Sequence, residues 1–192
     1  FDSKTEMERV KVLHDDLAAV LAAGSPVAPV ALATLACYIP LHSVIGASAL
    51  AEQSWPGPVS HLVTQQVREP AQEQQLRSSI PVLAPGGDPP PSSDAEPCPR
   101  WIRPAMLSRS MPFDEYVRMQ FPQAPAQPLG KAEIDILVAG CGSGRNAIEM
   151  ARWCVGARIL AIDPSPANLC YALRKSDELQ VMNIEYGQAD LM

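Results

Sequence analysis

Three glycines alternate with single residues in the stretch Ala139-Gly140-Cys141-Gly142-Ser143-Gly144, after the apolar run "IDILV" and before a helical pattern. Glycine weakens regular structure unless the backbone must turn sharply or something must approach it closely. A glycine-rich turn that leaves a parallel strand and opens a helix sets free backbone N–H groups beside the positive end of the helix dipole. The result is an anion site that a ligand can approach to contact distance. Asp163 ends the next strand-like run, "ARILAID". It stands at about the 20-residue spacing from which a carboxylate accepts hydrogen bonds from ribose hydroxyls. A second carboxylate, Asp190, follows the third such run as "GQAD", where it or its neighbours can meet an adenine edge. Residues 142–147 also fit the dinucleotide fingerprint, as Gly142-Ser143-Gly144-Arg145-Asn146-Ala147.

Other reactive side chains offer less. Cys141 lies inside the loop, where filling a small space is the plainer role than nucleophilic attack. The five cysteines (Cys37, Cys98, Cys141, Cys154, Cys170) are odd in number and form no CxxC pair. That argues against a disulfide framework or a structural zinc site and for a reducing, cytoplasmic compartment. The three histidines, His14, His42 and His61, are scattered, so no metal site is expected. A net charge of -6 gives no basic footprint for nucleic acid.

The elements that must position these residues fall into three zones. Residues 1–80 read as short helices. Ser3 and Glu6 form a capping box for the first. Met7, Val10, Leu13, Leu17, Val20 and Leu21 recur at helical spacing until Gly24. Further helical pieces are expected at 29–38, 47–53, 59–68 and 71–78, each bounded by proline. The apolar run 27–41 holds Pro29 and Pro40 and is shorter than the ~20 residues a membrane span needs, so it reads as a buried helix. Residues 81–130 read as a linker: of the chain's 20 prolines, 12 lie between Pro81 and Pro128. Residues 84–97 are too polar to pack and should be mobile. Two islands interrupt the linker, "CPRWIRP" and a short amphipathic helix near 113–121 with Phe113, Val117 and Phe121 on one face. Residues 131–192 alternate strand, helix, strand, helix, strand, which predicts an α/β, doubly wound parallel sheet with three strands present.

Together, "AGCGSG", "AIDPSPANLCYA" and "NIEYGQADL" resemble the motifs of class I S-adenosylmethionine-dependent methyltransferases. The resemblance covers about sixty residues, and the three motifs occur in the family's order. It implies a Rossmann-like fold, S-adenosylmethionine as cofactor, and methyl transfer to an acceptor, protein or small molecule, that the sequence does not specify. It assigns Gly140, Gly142 and Gly144 to the methionine end of the cofactor, Asp163 to the ribose and Asp190 to the adenine, with Ala139, Cys141, Pro164 and Ala189 counted beside them among the cofactor-binding residues. The family's usual acid before the first glycine is replaced by Ala139. No base stands out, so no catalytic residue is named.

A second resemblance lies upstream. "ACYIPLHSVIGASAL", "QQVREP" and "CPRW" followed by "FDEYVRMQFP" are similar to the junction between tetratricopeptide repeats and a methyltransferase domain in repeat-containing methyltransferases. No repeat of about 34 residues is visible in the chain itself. Here Trp101 reads as a hydrophobic plug against the sheet domain, with a lid over the cofactor as the alternative. The family fold continues beyond a third strand in the order 3-2-1-4, so the chain is expected to be a fragment, inactive alone, with residues 136–139 as an exposed apolar edge prone to association. Two other functions stay open: a nicotinamide (NAD)-dependent oxidoreductase, and a non-catalytic interaction protein whose helical region binds a protein partner.

Overall fold

The computed structural model describes residues 4–84, 97, 99–106, 109–123, 125 and 127–189. The capping serine Ser3, Cys98, Asp190 and most of the stretch 84–97 lie outside the described residues. The chain divides into two compact units, 1–72 and 73–192.

The first unit is helical. Helix α1 (Lys4–Ala22) buries Val10, Leu17 and Leu21, one stripe of the predicted periodicity. Gly24 closes it with φ +63°, the left-handed turn that a glycine makes without strain. Helix α2 (Pro29–Ala36), a 3-10 turn (Leu41–Ser43), α3 (Ser48–Ala51) and α4 (Gly57–Val63) follow. Leu32, Leu35, Leu41, Leu50 and Val63 are buried at their centre. Proline does not interrupt the last helix as expected. The chain runs from α4 through a π-helical turn (Thr64–Arg68) straight into α5 (Glu69–Leu76). Pro70 has no N–H to give to the preceding turn, and the wider turn re-pairs the backbone, with the Glu69 N–H donating to the Thr64 carbonyl. Among the described residues no helix is long and apolar enough to cross a membrane.

The second unit is a parallel sheet with helices. Its strands are β1 (Val82–Ala84), β2 (Ile134–Ala139), β3 (Ala157–Asp163) and β4 (Ile184–Ala189), in the order β1-β4-β3-β2, all parallel. Helix α7 (Arg145–Trp153) joins β2 to β3, and α8 (Pro166–Glu178) joins β3 to β4. The expected Rossmann-like parallel sheet is therefore present, with four strands rather than three among the described residues and with α7 and α8 on one face. The extra strand comes from the stretch expected to be linker. It is three residues long and begins after Pro81, too short to show alternation. The Gln188 N–H donates to the Pro81 carbonyl at 2.8 Å, and Gly187 leaves room for the Leu83 side chain, whose Cδ1 would be 2.3 Å from any Cβ there.

Side chains alternate across the sheet. Ile134, Ile159, Ala161 and Tyr186 pack with Ile148, Leu169 and Ala172 from the helices. On the opposite face Leu137 is 60% exposed and Leu160 37%. β2 is an edge strand, as expected for residues 136–139. Helix α6 (Phe113–Gln120) packs Phe113 and Tyr116 against the core, whereas Phe121 is exposed and does not join that face.

The supposed linker also delivers Trp101 and Met111 to the core. Arg100, beside Trp101, forks onto Glu73 at 2.8 and 3.2 Å, and Arg174 of α8 reaches the same carboxylate at 2.9 Å. Glu73 is 6% exposed and Arg174 7%. Both guanidinium groups lie over the Tyr171 ring, 5.1 and 5.0 Å from its centre. Charges buried this far are held by their partners, and removing one costs about 3–5 kcal/mol. Glu73→Ala should therefore destabilise the second unit by about 3 kcal/mol in urea denaturation. A loss below about 1 kcal/mol, the value of an exposed pair, would show that the cluster does not hold the fold.

Candidate functional site

The loop between β2 and α7 has φ values of +67°, +54° and +78° at Gly140, Gly142 and Gly144. This left-handed region costs other residues roughly 1–2 kcal/mol each. The three glycines serve two different ends. A Cβ on Gly144 would sit 2.4 Å from the Ala172 Cβ, so that glycine lets the loop pack onto α8. A Cβ on Gly140 or Gly142 would meet nothing within 4 Å, so those two face open space. Gly144 is also the N-cap of α7 and supplies no side-chain acceptor. The first-turn N–H groups of the helix stay available at its positive end.

Asp163 closes the site from β3. Its Oδ2 accepts the Gly142 N–H at 2.8 Å, and its Oδ1 accepts the Ser165 N–H at 2.9 Å and the Asn168 side-chain amide at 3.1 Å. It is 6% exposed. A carboxylate offers about four lone-pair sites, so Oδ2 keeps one. Asp163 lies beside the loop, and the sequence did not reveal that it holds the loop's backbone. Ala139 and Gly140 are exposed, Pro164 is half-buried with its carbonyl accepting from the Gln188 side chain at 3.1 Å, and Ala189 is buried at the end of β4. These residues meet at the carboxyl edge of the sheet, where Ala139 stands opposite Ile162 and Asp163 opposite Gln188. The proposed adenine contact, Asp190, is outside the described residues.

Cys141 is buried, with its Sγ 3.6 Å from the Gly142 carbonyl. Burial, with the Asp163 charge adding to it, pushes the thiol up to about 12. It is a neutral thiol at physiological pH and fills space.

Sequence reasoning did not find how residues 99–102 engage this loop. Trp101 is buried as the expected plug, with its ring edge-on to Tyr171 at 6.0 Å. Its Nε1–H donates to the Ser143 carbonyl at 3.0 Å, and the Ser143 hydroxyl donates to the Pro99 carbonyl at 2.7 Å. The Trp101 N–H donates to the Tyr171 hydroxyl at 2.9 Å, which in turn donates to the Trp101 carbonyl. Lys175 lies 5.2 Å over the Trp101 ring and donates to the Ile102 carbonyl at 3.0 Å. The only signal in the sequence was an aromatic flanked by arginines among prolines.

Residues 136–192 match the family model described as a methyltransferase domain. Among solved structures, a SAM dependent methyltransferase from Aquifex aeolicus is 20% identical, covers 40% of this chain and 38% of its own, with a TM-score of 0.31. The [4+2]-cyclase SpnF is 19% identical over 41% of this chain and 26% of its own, with a TM-score of 0.32. Coclaurine N-methyltransferase, bound to N-methylheliamine and SAH, is 16% identical over 97% of this chain and 49% of its own, also at 0.32. The chain thus spans less than half the length of each of these proteins. No curated protein matches it. The parallel sheet and glycine loop are Rossmann-like, and residues 136–192 within them are the part that is similar to the methyltransferase-domain family model.

Two outcomes follow from the loop's geometry. Gly144→Ala combines left-handed strain with a collision against Ala172 and should cost about 2–5 kcal/mol of stability. Gly142→Ala carries only the strain, about 1–2 kcal/mol. Equal losses in urea denaturation would contradict the two roles. Cys141 should resist iodoacetamide at pH 8 in the folded protein and react after denaturation. Because its folded pKa is raised, the stability tied to its protonated form is complete below the unfolded value near 8.5 and is lost as pH rises towards about 12. Rapid alkylation of the native thiol would overturn this reading.

Proposed function

We propose that the chain binds S-adenosylmethionine at the carboxyl edge of the sheet and serves methyl transfer from it. The observation that carries this reading is the pairing of open, left-handed Gly140 and Gly142 with the uncapped N-terminus of α7, beside Asp163. The donor set fits the ligand. Free N–H groups at a helix N-terminus suit the carboxylate of its methionine part. The remaining lone pair of Asp163 Oδ2 suits a ribose hydroxyl. Ala139 offers no carboxylate to the ligand's amino group, so backbone carbonyls at Ala139 and Gly140 would serve there. Asp190 and Ala189 complete the reading as the adenine end.

When bound, the cofactor supplies an electrophilic methyl group on a sulfonium for in-line displacement. The chain's own residues hold and orient it, the contribution that matters most for such a step. The acceptor, a protein or small molecule, is unassigned. We place the protein in a reducing, cytoplasmic compartment, where its described cysteines Cys37, Cys141, Cys154 and Cys170 are free. The first unit is read as the part that joins a helical repeat region to the methyltransferase domain and as a surface for a protein partner.

Calorimetric titration tests the proposal. S-adenosylhomocysteine should bind and NAD should not. Folded Asp163→Ala should bind S-adenosylhomocysteine about 1.5–3 kcal/mol more weakly, the value of a hydrogen bond to a charged group. Binding of NAD in place of S-adenosylhomocysteine, or equal affinity in the variant, would sink the proposal.

A further inference from the structure

We propose that Trp101 is a positioning residue for the cofactor loop, acting through Ser143; the inference rests on the assignment of that loop to S-adenosylmethionine. Ser143 is the loop's one residue with a polar side chain, and it is 4% exposed. Its carbonyl takes the Trp101 Nε1–H at 3.0 Å, and its hydroxyl gives a hydrogen bond to the Pro99 carbonyl at 2.7 Å. Both ties run to the same three-residue stretch. They grip the peptide units between Gly142 and Gly144, whose φ values of +54° and +78° no side chain of their own can defend.

The stretch is itself anchored. Arg100 forks onto Glu73, the Tyr171 hydroxyl engages both the N–H and the carbonyl of Trp101, and Lys175 holds the Ile102 carbonyl. Tyr171 and Lys175 belong to α8, so the loop is referred to the helix that Gly144 already packs against. Asp163 fixes the loop from the sheet by accepting the Gly142 N–H, and Trp101 fixes it from the helix side by donating to Ser143. Opposed ties of this kind set which way the Gly142 and Gly144 peptides point. Supporting hydrogen bonds that orient the ligand-binding groups are worth as much attention as the contacts themselves. Trp101 does not touch the ligand in this arrangement. Its role is to keep the loop in the ligand-ready shape.

Trp101→Phe tests this, because it keeps an aromatic ring in the core and removes the N–H. Affinity for S-adenosylhomocysteine should fall about threefold to tenfold, the effect of one lost hydrogen bond to a buried carbonyl, with the melting temperature within a few degrees of the parent. Hydrogen exchange without ligand gives a second readout. The Gly142 and Gly144 amides, bonded in the parent to Asp163 and to the Cys141 carbonyl, should exchange several-fold faster, while α8 amides keep their protection. Unchanged affinity together with unchanged loop exchange overturns the inference. A variant that melts far lower and exchanges faster everywhere assigns Trp101 a merely structural role and also overturns it. If the parent itself fails to bind S-adenosylhomocysteine, the cofactor assignment falls, and the exchange measurement still decides whether Trp101 holds the loop.

Discussion

A loop built from alternating glycines has almost no side chains with which to hold its own shape, and the second unit is arranged around that deficit. Each left-handed glycine gives up more backbone entropy on ordering than any other residue would. Three within five positions form a segment that stays fixed only if its neighbours tie it down. Asp163 takes the Gly142 N–H from β3, Ala172 fills the space a Gly144 side chain would need, and Trp101 binds the Ser143 carbonyl. The open positions, Gly140 and Gly142, are left on the side where a ligand can approach.

These ties explain why a polar, proline-rich stretch is not wholly a spacer. Between Pro97 and Ala105 the chain spends its polar groups on the sheet domain: the Ala105 N–H donates to Glu149 of α7 at 2.8 Å, and Arg152 donates to the Ala105 carbonyl at 3.4 Å. Glu149 also holds Arg145, the first residue of α7, at 3.0 Å. The same stretch therefore contacts both helices that flank the glycine loop. Its apolar content is small, and hydrogen bonds and ring–cation contacts do the holding. Such an arrangement depends on every member being satisfied, and among the described residues no buried side-chain polar atom lacks a partner.

The fold of the last sixty residues was legible because its signals are local. Ala157–Asp163 reads as a strand from its β-branched and apolar run, and α8 starts where a serine precedes a proline. The Ser165 side chain does accept the Asn168 N–H at 3.3 Å. What stayed hidden was made by distant partners. Val82–Ala84 has no strand signature of its own, and only Gly187 within "IEYGQA" marked a place where another chain segment comes close. The Trp101–Ser143 and Glu73–Arg174 contacts join residues 42 and 101 positions apart, and nothing in either neighbourhood announces the other. The proline boundary expected near residue 70 failed for a related reason. A π-helical turn absorbs the missing donor, and that adjustment is set by packing as well as by propensity.

The sheet's two faces are unequal in a way that bears on the site. A parallel sheet is stable when both faces are covered, and α7 and α8 cover one. Along the other, the amino-terminal row pairs exposed Asp135 with Arg158 at 2.8 Å, an ion pair at home in water and of little energetic weight. One row further on, Leu137 stands opposite Leu160, and the next row holds Ala139 opposite Ile162. The face thus grades from charged to apolar towards the carboxyl edge where Ala139, Gly140 and Asp163 meet. Water is tolerated at the end away from the glycine loop and disfavoured beside it. Ile162 is already buried, so the row that still lacks cover is Leu137 with Leu160, next to the ligand edge, and burying it would lower the dielectric around the loop N–H groups and Asp163. In a drier setting those groups act on a charged ligand more strongly than they do beside bulk solvent. Cover of the apolar row and grip on the ligand are linked through that shared edge.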